Sequence, residues 1–220
     1  MNWTADTYSR KRRVSERDSD EDDYPKGNKR RKMILDDDDD MIYSIGNEIH
    51  FTSGIDTDTI ERLIRKFSNV IKENLKKFRS DDEKIEIAYI VDSPGGCVSS
   101  VLKFVDYLHM VKQKHPYIEF TSIITGTAAS AGTIMSIVAD KRYITRHATA
   151  MIHELSSGNR GKYTHLMSYA KHLTTEHEKL LNIYLENSKK NKEEMEDILN
   201  KETWFSAEEY LAHGFVDGIK

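Results

Sequence analysis

The sequence predicts an α/β domain in which strands and helices alternate around one core, preceded by a charged tail. Three observations carry this. Short apolar runs such as Ile85–Val91 end at turns rich in small residues; helically periodic segments follow those turns; and 220 residues with 38% hydrophobic content suffice for one buried core with little left for a second.

Residues 1–40 hold few aliphatic side chains and alternate basic with acidic blocks, Lys11–Arg13 and Lys29–Lys32 against Asp20–Asp23 and Asp36–Asp40. Such a composition cannot bury enough apolar area to offset its ordering entropy, so the segment is expected to be disordered. Its two basic clusters also fit a nuclear-import signal or a nucleic-acid arm. Over the whole chain, 33 basic and 37 acidic side chains leave a net charge of -4, which does not favour nucleic acid as a partner. One cysteine, Cys97, excludes an intramolecular disulfide and fits a reducing compartment. No stretch approaches the roughly 20 apolar residues of a bilayer span, and the first residues lack a signal peptide's apolar core. A cytoplasmic protein is expected.

The folded domain is expected over 41–220. Met41–Thr52 reads as one or two strands around Gly46-Asn47. Asp56 is a candidate N-cap for a helix that aligns Ile60, Leu63, Ile64, Phe67, Ile71 and Leu75 on one face. The strand Ile85–Val91 stops at Ser93-Pro94-Gly95-Gly96, and a helix over about Ser99–Lys114 follows. The pattern repeats as a strand over Glu119–Ile124, a turn over Thr125–Ala129 and a helix over about Ser130–Ala139. Strand-like stretches at Arg142–Ile144 and Ala150–His153 precede a polar loop. A helix over about Tyr163–Ser188 then carries a long apolar stripe, from Leu166 to Leu185, fit to pack against another subunit.

Two small-residue turns and one histidine can carry chemistry. In Gly126-Thr127-Ala128-Ala129-Ser130-Ala131-Gly132 a single hydroxyl lies between strand and helix. It is either an ordinary helix cap or a nucleophile beside amides that could hold an oxyanion. In Asp92-Ser93-Pro94-Gly95-Gly96 the glycines either form a tight turn or expose backbone N–H groups. His153 ends an apolar strand, as a surface residue or as a base. His165, His172 and His177 share a charged helix; His172 and His177 lack metal-ligand spacing, and no cysteine cluster accompanies them, so no metal is expected.

Taken in order, SPGG, GTAASAG, MIHE and a late acid before FSAEEYLAHGFVDGI resemble the Clp protease proteolytic subunit, from about Asn47 to Lys220. The resemblance implies a crotonase-like fold, a repeated ββα spiral with the long helix protruding as a handle. It implies a serine endopeptidase with Ser130 as nucleophile and His153 as general base. The amides of Gly95 and Ala131 would hold the oxyanion, with Gly96 in the same substrate-binding turn. Aligned on Ser206-Ala207-Glu208-Glu209, the third member is Glu202, where the family usually has aspartate; Asp197, or no acid, is the alternative. Two further departures bear on peptide preference: no proline follows His153, and Ala131 stands where methionine is common.

The same resemblance implies unfolded-protein or peptide substrates, homo-oligomeric stacked rings and an ATP-dependent AAA+ unfoldase partner. No cofactor is expected, since no phosphate-binding GxxxxGK[ST] motif is present. A virus prohead protease of the same fold, a crotonase-like acyl-CoA hydratase or isomerase, and a catalytically inactive ring subunit are the alternatives.

Overall fold

The computed structural model describes residues 41–77 and 84–220. The predicted disorder of 1–40 lies outside the described residues. Among the described residues eight strands and six helices follow in the order β1 (Ile42–Ile45), β2 (Glu48–Phe51), α1 (Thr57–Leu75), β3 (Ile85–Ser93), α2 (Val98–Lys114), β4 (Ile118–Ala129), α3 (Ala131–Ile137), β5 (Lys141–Ile144), β6 (Thr149–Ile152), α4 (Tyr163–Asn187), α5 (Lys192–Asn200), β7 (Thr203–Ser206), α6 (Ala207–Ala212) and β8 (Gly218–Ile219).

β1 and β2 form an antiparallel hairpin whose turn uses Gly46 at φ 61. β2, β3, β4, β5 and β8 then pair in parallel, as alternating strands and helices require. α1 begins where the sequence places its cap. The Asp56 carboxylate accepts from Thr59 N at 2.8 Å, and the Thr59 hydroxyl accepts from Asp56 N at 2.9 Å. The helix buries Ile60, Leu63, Phe67, Val70 and Ile71. Phe67 meets Tyr89, Phe104 and Phe120 edge to face at 5.3–5.9 Å, and burying such a ring contributes about 2–3 kcal/mol. A second aromatic group, Tyr184, Phe205, Tyr210 and Phe215, ties α4, β7 and α6 together.

β4 corrects the sequence reading in a way that builds the site. The stretch Thr125–Ala129, expected as a turn, is strand, and β4 runs twelve residues to Ala129. The β3–β4 ladder passes from Val91↔Ile124 to Ser93↔Ala128, so two extra residues bulge out of β4. Gly126 adopts φ 65 within the bulge, and a Cβ there would come within 2.8 Å of all three Asp92 carboxylate atoms. Asp92 Oδ1 accepts from Thr127 N at 3.0 Å, replacing the missing ladder bond. The bend turns β4 away from β5, which it pairs through Ile124, and onto β6, which it pairs at Thr127–Ala129. The helix expected from Ser130 to Ala139 is shorter, Ala131–Ile137.

After β6 the chain leaves as α4 and α5 and returns as β7, antiparallel to β6. The predicted apolar stripe of α4 is buried only in its second half, at Leu180, Leu181 and Tyr184. Its first half stands clear of the core, with Tyr163 75%, Leu166 38% and Met167 54% exposed.

Candidate active site

The register of β4 against β6 aligns Ala129 with Met151, and Ser130 N donates to Met151 O at 2.8 Å. Ser130 therefore enters α3 beside the end of β6, where His153 follows Ile152. His153 Nε2 lies 2.8 Å from Ser130 Oγ. Ser130 occupies the N-cap position of α3, yet its side chain makes no cap hydrogen bond and its backbone sits at φ 54, ψ -121. The helix-cap reading of Ser130 is thereby set aside. A non-glycine residue in that region costs about 1–3 kcal/mol and persists only where its surroundings impose it. Here the bent backbone aims the hydroxyl at the imidazole.

The Ser93–Gly96 turn packs against the same elbow. A Cβ on Gly95 would meet Ala129 O at 2.5 Å and Ser130 Cβ at 2.8 Å, so only glycine permits this approach. Gly96 has φ 147 and lies on Ile55, whose carbonyl oxygen a Cβ would meet at 2.1 Å. Ile55 N donates to Gly95 O and Cys97 N to Ile55 O, at 2.8 and 2.7 Å. These bonds fix the turn, and the bridge leaves the Gly96 amide facing away from Ile55. The Gly95 N–H donates to Ser93 Oγ at 3.2 Å, a long bond that a better acceptor could replace. Ala131 is buried next to the serine.

Glu202 comes near by topology. β6 and β7 pair Ile152 with Thr203, so extending that register by one residue sets His153 opposite Glu202. Glu202 follows the C-cap of α5 at φ 49, the left-handed position that ends many helices. Its side chain is exposed, and among the described residues no hydrogen bond joins it to His153. Asp197 pairs with Lys201 on the surface of α5 at 2.6 Å.

Sequence reasoning missed Thr133 at this site. Thr133 lies on α3 three residues after the serine and donates its hydroxyl to Ser130 O at 2.6 Å. A groove of about 610 Å³ between α1 and α2, lined by Ile71, Leu75, Met110 and Val111, touches none of the residues around Ser130. Hydrogen-bond geometry, and not concavity, locates the chemistry. Among the described residues no group of His, Cys, Asp and Glu could hold a metal ion, and no helix is long and apolar enough to cross a membrane.

Comparison with known proteins gives the family. The family model described as Clp protease matches residues 52–220. The chain is 29% identical over 202 residues to the ATP-dependent Clp protease proteolytic subunit 1 of Protochlamydia amoebophila, covering 89% of this chain and 92% of that protein. It is 35% identical over 156 residues to the ATP-dependent Clp protease proteolytic subunit of Streptococcus suis, covering 69% and 77%. With Chlamydia trachomatis serovar D the ATP-dependent Clp protease proteolytic subunit 1 shares 31% over 137 residues, 60% of this chain and 69% of that one. A family match over the whole run from β2's end to the last residue, on a fold that delivers the motif serine to the motif histidine, establishes that the chain belongs to the Clp protease family.

Proposed function

We propose that this protein is a serine endopeptidase in which Ser130 is the nucleophile and His153 the general base. The observation that carries the reading is the 2.8 Å contact between Ser130 Oγ and His153 Nε2, made by a serine released from capping duty. A hydroxyl is a poor nucleophile until an imidazole takes its proton. Nε2 accepts that proton as Oγ bonds to the peptide carbonyl carbon, and the carbonyl becomes an oxyanion. The imidazolium then protonates the leaving amine, the peptide C–N bond breaks, and water activated by the same imidazole releases the acyl group and restores the serine.

The oxyanion would be held by the amides of the Gly95-Gly96 turn and of Ala131. Each such donor is worth about 3–4 kcal/mol to the barrier. Gly95 would exchange its bond to Ser93 Oγ for the oxyanion. With Nε2 as the acceptor, Nδ1 carries the other proton and calls for an acid, for which Glu202, opposite His153 in the β6–β7 register, is our candidate. The carboxylate would swing in to orient the ring.

Substrates on this reading are unfolded proteins or peptides, handled in the cytoplasm inside homo-oligomeric stacked rings. The exposed first half of α4 supplies an apolar face for a second ring, and the relatives' names, ATP-dependent proteolytic subunits, support an AAA+ unfoldase as partner. The domain would comprise 41–220. A fluorophosphonate probe tests the core of this: it should label Ser130, and Ser130→Ala should abolish labelling. Labelling that survives in that variant removes Ser130 from its role. A hydratase or an inactive ring subunit would not be labelled at all.

A further inference from the structure

Ser130 is held in its unusual conformation from three sides. Its N–H donates to Met151 O, Gly95 packs against its Cβ, and its carbonyl oxygen accepts both the Thr133 N–H at 3.0 Å and the Thr133 hydroxyl at 2.6 Å. The Thr133 hydroxyl has a further partner, the Tyr184 hydroxyl at 2.6 Å, contributed by α4. Thr133 has one hydroxyl proton and spends it on the Ser130 carbonyl, so the direction of the second bond follows: Tyr184 O–H donates to Thr133 Oγ1. Thr133 is 0% and Tyr184 2% exposed, so water does not compete for either hydroxyl. Burial also pushes the Tyr184 phenol well above its ordinary pKa, partly offset by the Thr133 bond, which keeps it a donor.

We infer that Tyr184, acting through Thr133, is a positioning residue for the nucleophile, and that this two-hydroxyl relay joins the handle helix α4 to the Ser130 elbow. The inference rests on reading Ser130 as the nucleophile. Polarised by Tyr184, the Thr133 hydroxyl is a stronger donor to the Ser130 carbonyl, in a buried setting where such bonds reinforce one another. Without the Thr133 hydroxyl the carbonyl keeps only the N–H of Thr133, and without Tyr184 that hydroxyl is a weaker and less fixed donor; in either case the serine can relax toward an ordinary N-cap geometry. Oγ then leaves the line of His153 Nε2. Both side chains are buried, so substrate binding is not their task.

Tyr184→Phe, Thr133→Val and Thr133→Ser, each in the full chain, decide the matter with two readouts: kcat and KM on a fluorogenic peptide, and the second-order rate of labelling by a small fluorophosphonate. Tyr184→Phe and Thr133→Val should lower both kcat and the labelling rate about tenfold with KM within about twofold, as expected when only geometry at the nucleophile is disturbed. Thr133→Ser should restore both. Because the two hydroxyls act as one chain, the double variant should lose no more than the worse single variant. Unchanged labelling in Tyr184→Phe, or a rise in KM at constant kcat, overturns the relay. If Thr133→Val fails to fold, Tyr184→Phe, which keeps the ring, decides alone. Mass mapping of the label in the parent separates the two readings: a label away from Ser130 sinks the nucleophile itself, while a label on Ser130 with parental rates in the variants sinks only the relay.

Discussion

Glu202 stands opposite His153, one residue beyond the last paired residues of β6 and β7, on a left-handed backbone with φ 49. The placement brings the acid to the right strand end without closing the bond to the imidazole. If Glu202 orients His153 during turnover, Glu202→Gln should lower kcat by about 10²- to 10⁴-fold, as amidation of a triad acid does. Glu202→Asp should recover part of this. Steady-state hydrolysis of a fluorogenic peptide provides the measurement, and unchanged turnover in the glutamine variant removes Glu202 from the site.

The two glycines with contrasting surroundings give a prediction about stability. Gly96→Ala must displace the Ile55 carbonyl and break the bridge between that segment and the SPGG turn. It should cost more than about 3 kcal/mol and abolish peptide hydrolysis. Gly46→Ala, at φ 61 with nothing within 4 Å, should cost only about 1–2 kcal/mol and leave activity intact. Urea unfolding of the two variants measures the difference, and equal midpoints would contradict the packing described at Ile55.

Arg142 and Asp217 predict a pH dependence. Burial raises the Asp217 carboxyl, but the side-chain and backbone hydrogen bonds from Arg142 outweigh it and hold the pKa below the ordinary 3.8. A carboxylate depressed in the folded state stabilises above its unfolded value, and loses that contribution as pH falls through the folded one. Asp217→Asn should therefore be less stable than the parent at pH 7. The gap between the two should narrow steadily below about pH 4, as followed by denaturant midpoints across pH. A gap that stays constant to pH 2 would show that charge is not what Asp217 contributes.

The exposed half of α4 predicts how subunits associate. Leu166→Asp together with Met167→Asp places two charges on surface that the domain itself does not cover. Native mass spectrometry should show the assembly reduced to a smaller species, with a single ring as the expected product. Thermal stability of the individual domain should change little, since neither residue is buried. An unaltered mass spectrum would remove this face from the assembly.

Much of the fold was legible because local chemistry and global packing agree. Asp56 and the apolar face from Ile60 to Leu75 announce α1, and the run Ile85–Val91 announces a buried strand. The β4 bulge was not legible: Gly126 and its small neighbours read as a turn, because the Asp92 carboxylate that completes the strand lies on another element. The α5 helix also went unread, although Asn191 and Glu194 form a capping box at its start. At the site, the residue order carried Ser130 and His153. Neither the strain at Ser130 nor the bond from Tyr184 could be read, since both depend on register between distant segments.

The β6–β7 ladder has a consequence for how this protein can vary. Residues 154–201, the whole of α4 and α5, depart and return between two positions fixed by one pair of neighbouring strands. Closing such an excursion costs only slightly more as it lengthens. The departing and returning ends adjoin His153 and Glu202, while the first half of α4 carries the exposed apolar surface. The exposed apolar surface and the two facing strand ends therefore lie at opposite ends of one insertion, and its exposed end can be redrawn in length or sequence with the gap between the strand ends unchanged.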